Sequence, residues 1–145
     1  MPRIADVMTR DVETIQPQAS LQAAAQLMDE LNVGALPVCD GQRLVGMLTD
    51  RDITVRATAT GLAPREARVA DVMTEHTRWC TEDQSTEDVL QQMSDVQIRR
   101  IPVLNARQEL VGIVSLGDLA TRQQDDVQAT LRDISYPSEP DRSLV

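Results

Sequence analysis

Ala5-Asp6-Val7-Met8-Thr9 returns unchanged as Ala70-Asp71-Val72-Met73-Thr74. That recurrence decides how the rest of the chain is read, because self-similarity at a fixed spacing implies one structural unit built more than once. Working outward from the two quintets, residues 4–41 align with 69–106 without a gap. One extra residue then enters the second copy, and residues 44–53 align with 110–119. Of these 48 pairs, 14 are identical, and they fall in blocks: Pro37-Val38 with Pro102-Val103, Leu44-Val45-Gly46 with Leu110-Val111-Gly112, Asp52 with Asp118. Identities clustered between divergent spacers point to a duplication held to a shared structural demand.

Each copy predicts the order βαββα. After the repeated quintet, here called the lead segment, a short extended stretch lies near Glu13–Ile15 and again near Arg78–Cys80. A helix follows. Ser20 is a suitable N-cap, with Leu21, Ala24, Ala25, Met28 and Leu31 at helical spacing. In the second copy Ser85 caps, Asp88 completes a capping box, and Val89, Met93 and Val96 form the stripe. Leu36-Pro37-Val38 and Ile101-Pro102-Val103-Leu104 start the next strands, since proline is accepted at a strand's first residues or on an edge. Turns at Asp40-Gly41 and Asn105-Ala106 lead to apolar strands, Leu44–Leu48 and Leu110–Val114. Second helices follow, over 50–60 with Gly61 as its stop, and from Leu116 to about Arg132. The expected division is a first repeat over 1–61, a connector over 62–68, a second repeat over 69–132 and a flexible tail over 133–145. A copy of roughly 50 to 60 residues buries a marginal share of its surface alone. The two repeats are therefore expected to pack about a pseudo-twofold axis.

Composition narrows the chemistry. Apolar residues make up 41% of the chain but aromatics only 1%, so the core must be aliphatic, with methionines filling irregular gaps. The net charge of −9 disfavours a phosphate polymer or an anionic membrane as partner, so neither nucleic acid nor membrane is expected. The 14 basic residues are all arginine, which removes the P-loop lysine, the Schiff-base lysine and a lysine general base. His76 is the only histidine, which leaves no His-pair metal site and no base for a catalytic triad. Cys39 and Cys80 lack CxxC spacing and read as reduced, buried thiols. The absence of a leader or a long apolar run gives a soluble, cytoplasmic protein as the expectation.

The Asp-Val-Met-Thr entries, the apolar-Pro-Val strand starts, and Gly46-Met47-Leu48-Thr49-Asp50-Arg51-Asp52 with its echo Gly112-Ile113-Val114-Ser115-Leu116-Gly117-Asp118 together resemble the CBS (cystathionine-β-synthase) domain family. The likeness runs from about Ile4 to Ala120. It implies an α/β stand-alone CBS pair, with two clefts between the copies that take AMP, ADP, ATP, NAD or S-adenosylmethionine and require no metal. It further implies a homodimer, and a regulatory rather than catalytic role exerted on a separate effector protein. The other readings are an interaction module with empty clefts and a small nucleotide-processing enzyme.

Thr49-x-x-Asp52 and Ser115-x-x-Asp118 read first as capping boxes, each following a strand and opening a helix. The resemblance adds a second role, in which the helix start faces phosphate and the carboxylate takes the ribose hydroxyls. It also implies basic residues before the second strand. Arg99 and Arg100 stand there in the second copy, against Gly34 and Ala35 in the first. The Ser115/Asp118 cleft should therefore hold phosphate better. Arg51 and Arg56 offer partial compensation in the first. For the adenine slot the family implies the lead segment of one copy with the strands of the other. That suggests Thr9, Val12, Ile101, Pro102 and Val114 beside Ser115 and Asp118. Beside Thr49 and Asp52 it suggests Thr74, Thr77, Leu36, Pro37 and Leu48. Trp79 is expected to pack in the core or at an interface.

Overall fold

The computed structural model describes residues 2–120 and Ile134. The helix expected to run to about Arg132 lies outside the described residues beyond Ala120, as does the tail expected over 133–145, except for Ile134. The chain divides into two compact units. One is continuous, residues 13–77. The other joins residues 2–12 to the described residues from 78 onward. The lead segment of each repeat thus belongs to the unit that holds the body of the other repeat. Repeats and units are different divisions of one chain.

In the unit 13–77, the Ser20 hydroxyl accepts the Ala23 N–H at 3.1 Å and starts α1 (Leu21–Leu31). Leu21, Ala24 and Met28 are buried. Ala25 and Leu31, expected on the same stripe, are exposed, and Leu27 takes the flank of the core instead. The helix ends at Asn32, left-handed at φ 56°, with the Val33 N–H donating to the Met28 carbonyl. Strands β1 (Ala35–Asp40) and β2 (Arg43–Thr49) form an antiparallel pair in which Leu36 faces Leu48 and Pro37 faces Met47. The extended stretch near Ile15 amounts to one parallel bridge to Val38.

Next, α2 (Asp50–Asp52) opens and continues as a π-helical stretch over Ile53–Thr58, a wider winding that the sequence pattern does not announce. Gly61, at φ +85°, lets the Leu62 N–H reach back to the Ala57 carbonyl and stop the helix. Residues 62–68, expected as a connector, are tied down. The Ala67 and Pro64 carbonyls accept from Leu21 and Gln22 N–H, and Arg68 donates to the Gln18 carbonyl at 2.8 Å. The lead segment 69–74 is a one-turn helix, α3 (Val69–Val72), not a strand. Asp71 accepts the Arg68 N–H at 2.8 Å and caps it. Val69 and Val72 join Leu21, Leu36, Val38 and Leu48 in the core.

The other unit repeats this plan. Asp6 caps α4 (Ile4–Val7), which follows the same one-turn form, by accepting the Arg3 N–H. This explains why the repeated quintet carries an aspartate. Ile4 and Ala5 N–H donate to Gln84 and Glu82 carbonyls. A three-stranded sheet has β3 (Cys80–Thr81) parallel to β4 (Arg100–Leu104), and β4 antiparallel to β5 (Leu110–Ser115). Helix α5 (Thr86–Val96), capped by Ser85, covers the sheet with Val89 and Met93. The extra residue of the second copy falls in the β4–β5 turn, where the Asn105 carboxamide oxygen accepts from Arg107 and Glu109 N–H. Ile134 packs, half-buried, against this core. Trp79 does not: it is exposed, and only its carbonyl is engaged, by Gln92.

Gly46 and Gly112 mark where a lead segment crosses a strand. A β-carbon on Gly112 would sit 2.6 Å from the Thr9 carbonyl oxygen, and one on Gly46 would sit 2.6 Å from that of Thr74. Both obstacles are backbone. Gly112→Ala should therefore cost about 1–3 kcal/mol of stability. At Gly117, by contrast, an added β-carbon meets only Ser115 Oγ at 3.6 Å, so Gly117→Ala should gain up to about 1 kcal/mol. Denaturant melts of the two variants should shift in opposite directions.

Thr86 supplies a second stability expectation. It is fully buried, its hydroxyl has no hydrogen-bond partner among the described residues, and the aligned position in the first repeat is the core residue Leu21. Thr86→Val removes a desolvated hydroxyl at nearly constant shape, and should stabilise by about 1–2 kcal/mol in urea titration.

Candidate functional site

In each unit the strand-to-helix turn is locked by a reciprocal pair of hydrogen bonds. Thr49 Oγ1 accepts the Asp52 N–H at 3.0 Å while Asp52 Oδ2 accepts the Thr49 N–H at 2.9 Å. Ser115 Oγ accepts the Asp118 N–H and Asp118 Oδ2 accepts the Ser115 N–H, both at 3.0 Å. The boxes expected at Thr49/Asp52 and Ser115/Asp118 are present, whereas at Ser85 the described residues show only the Asp88 N–H donating to the Ser85 hydroxyl. Each of the two boxes fixes its carboxylate at the start of a helix, half-buried.

The lead segment runs beside each turn. Thr9 and Ile113 exchange both backbone hydrogen bonds, at 2.8 and 3.0 Å, and Thr74 and Met47 do the same at 2.9 Å. Thr9, Val12, Arg99, Arg100, Ile101, Pro102, Val114, Ser115 and Asp118 therefore belong to one compact unit, and Leu36, Pro37, Leu48, Thr49, Asp52, Thr74 and Thr77 to the other. Strand alternation sorts them further. Ile101 and Val114 pair with each other and are fully buried in the core, as are Leu36 and Leu48 in the other unit. Only their backbone groups are left to meet a ligand. The opposite sheet face carries Pro102 with Ile113, and Pro37 with Met47; the prolines are buried, and Ile113 and Met47 half-buried. Ile113 and Met47 were missed in the sequence; the two-residue period of the strands was the signal that could have found them. Thr9 and Thr74 are exposed, and Val12 and Thr77 half-buried.

Charge differs between the two sets. Arg99 and Arg100 are exposed at the start of β4, and the Arg99 carbonyl accepts the Leu116 N–H at 2.8 Å. The same backbone bond joins Gly34 and Asp50 in the first repeat, at 2.9 Å. Arg56, considered as a compensating cation, is otherwise engaged. Its Nε lies 3.8 Å from Asp52 Oδ1, and its Nη1 donates to the Val72 and Met73 carbonyls at 3.3 and 3.4 Å.

Nucleophilic chemistry finds no support at the cysteines. Both are buried, in different units, and burial pushes the Cys39 thiol from its ordinary 9.0 up to about 11 and the Cys80 thiol up to about 12. A raised native value means the folded chain keeps protons that the unfolded chain sheds. The stabilisation is whole below pH 9.0 and drains away as pH climbs towards 11 and 12. The unfolding free energy from urea titration should therefore fall above pH 9.0, by up to about 1.4 kcal/mol per pH unit for each thiol until its folded value is reached, and a double Cys→Ala variant should lose this slope.

Among the described residues, no three or more His, Cys, Asp or Glu side chains come together as a metal site, and no helix is long and apolar enough to cross a membrane.

Comparison with known proteins agrees with the duplicated fold. The CBS domain family model matches residues 4–57 and again 69–125. The CBS domain-containing protein YhcV of Bacillus subtilis is 43% identical over 138 residues, 94% of this chain and 97% of that protein. Hypoxic Response Protein I, solved with two coordinated zinc ions, superposes with a TM-score of 0.77 at 38% identity, over 83% of this chain and 98% of its own. CBSX2 in complex with AMP gives 0.71 at 26% identity, over 91% and 98% of the two chains. The CBS domain pair of MJ0100 in complex with 5-methylthioadenosine and S-adenosylmethionine gives 0.72 at 26% identity, over 83% and 98%.

Proposed function

Because this chain belongs to the CBS domain family, we propose that it is a regulatory module that binds adenosyl ligands, one at each capped strand-to-helix turn, and catalyses no reaction. The observation that carries this reading is the pairing, in each unit, of a fixed carboxylate with a lead segment that crosses the neighbouring strand. A carboxylate held at a helix start accepts hydrogen bonds from a vicinal diol. Thr9, Val12, Pro102 and Ile113 would contact the adenosine beside Ser115 and Asp118, with the backbones of Ile101 and Val114. Thr74, Thr77, Pro37 and Met47 would do so beside Thr49 and Asp52, with the backbones of Leu36 and Leu48. Arg99 and Arg100 give the Ser115/Asp118 site the stronger hold on AMP, ADP, ATP or NAD. Two copies would associate, and a separate effector protein would sense the change that binding makes; such a change is bounded by the ligand's preference for one arrangement over another.

The test is thermal unfolding with AMP, ADP, ATP, NAD, 5-methylthioadenosine and S-adenosylmethionine. A ligand that binds only the native state adds about 2.7 kcal/mol at a hundred times its Kd, which moves the midpoint by several degrees. No shift with any of the six compounds would replace this reading with that of an interaction module with empty sites.

A further inference from the structure

We propose that the two sites are sorted by charge, so that the Thr49/Asp52 site takes an adenosyl ligand without phosphate, neutral or cationic, while the Ser115/Asp118 site takes the phosphorylated one. The inference rests on the adenosyl-binding reading and assigns each site its ligand class.

The Gly34–Asp50 and Arg99–Leu116 backbone bonds place these positions equivalently in the two units. Equivalent backbone thus carries different chemistry. The Asp50 carboxylate lies over Gly34: a β-carbon built there would be 3.0 Å from Asp50 Oδ2. An arginine of the Arg99 kind has no room at Gly34 unless Asp50 moves aside. In the other unit Arg99 is present and Leu116 brings no carboxylate. Positions 34, 35, 50 and 51 hold Gly, Ala, Asp and Arg, which sum to no net charge, while positions 99, 100, 116 and 117 hold Arg, Arg, Leu and Gly, which sum to +2.

Of the two arginines near the first site, Arg56 is committed elsewhere. Arg56 spans the Asp52 carboxylate and the Val72 and Met73 carbonyls, so its guanidinium fastens the helix to the lead segment instead of meeting a ligand. A phosphate beside Thr49 would face Asp50 with only the exposed Arg51 in partial answer. A thioether nucleoside brings no charge to be opposed, and a sulfonium is attracted by the carboxylate. These groups are solvent-accessible, so the discrimination should weaken as salt is added.

Calorimetry on the whole chain tests this with AMP and S-adenosylmethionine as probes. Asp118→Ala should weaken AMP binding at least roughly tenfold and leave S-adenosylmethionine within about twofold, while Asp52→Ala should do the reverse. Each variant keeps one working site, which reports that the chain is folded. Transplanting the second site's pair, as Gly34→Arg with Asp50→Leu, should let the first site take AMP at least roughly tenfold more tightly and weaken S-adenosylmethionine there. Loss of AMP binding to the same extent in Asp52→Ala and Asp118→Ala would overturn the sorting while leaving the adenosyl reading in place. So would a transplant that left both affinities unchanged. Binding of neither probe to the unaltered protein would overturn the adenosyl reading itself, and the sorting with it.

Discussion

Ile4→Ala lowers the stability of the chain by about 2–5 kcal/mol, although the residue lies almost at the start of the sequence. Ile4 is wholly buried and, with Val7 and Met8, shares its core with Val89, Met93, Ile101 and Val114 of the second repeat. Truncating it opens a cavity between α5 and the β3–β4–β5 sheet, and native domains have only about 5–15 kcal/mol in hand. The damage should be local. In hydrogen exchange, the amides of Arg100–Leu104 and Thr86–Val96 should lose protection while those of Leu21–Leu31 and Ala35–Asp40 keep theirs. Val69→Ala should give the mirror image, because Val69 is fully buried in the core formed by Leu21, Leu36 and Leu48. Loss of protection near Ile15 and Ser20 in Ile4→Ala would contradict the exchange of lead segments.

Asp118→Ala weakens AMP by about 1.5–3 kcal/mol, roughly ten- to over a hundredfold in Kd. The substitution removes a charged acceptor and a cap together, so folding stability also falls, by about 1 kcal/mol. Asp118→Asn separates the two roles. An amide oxygen still accepts the Ser115 N–H that Asp118 Oδ2 now takes at 3.0 Å, so the helix start should hold. The ionic acceptor is gone, so AMP affinity should fall nearly as far as with alanine. If calorimetry gives both variants the affinity of the unaltered protein, the carboxylate is a cap and nothing more.

Much of this was legible in the residues. The duplication exposed both capping boxes, because a hydroxyl three residues before an acid, after an apolar run, has few other uses. Ser20 and Ser85 were equally plain. The core stripe of the first helix was less so: Ala25 and Leu31 satisfy the helical spacing yet stand exposed, since spacing gives a face but not its width. Trp79 stands outside the core, because size and apolarity do not by themselves fix a position on the chain. Within the site, Ile101, Val114, Leu36 and Leu48 came forward as apolar neighbours of the turn. Their side chains serve the core, and the outward partners Ile113 and Met47 followed only from strand register. The engagement of Arg56 was hidden for a different reason. Its reach to Asp52 is a matter of helical spacing, but its reach to Val72 and Met73 joins residues far apart in sequence. The one-turn helices of the lead segments are too short for periodicity to register, and only Asp6 and Asp71, as caps, hinted at them.

The exchange of lead segments also bears on the order in which a ribosome can finish the two halves. Residues 13–77 emerge as one uninterrupted run, and the core of Leu21, Leu36, Val38, Leu48 and Val69 lies wholly within it. Ile4 and Val7, translated earlier, wait for strands made last. Synthesis proceeds at roughly 5–20 residues per second, so for some seconds the nascent chain displays a greasy stub ahead of an already settled inner module. A chain cut short just after Thr77 would display that species in bulk, with Ile4 and Val7 uncovered and prone to stick.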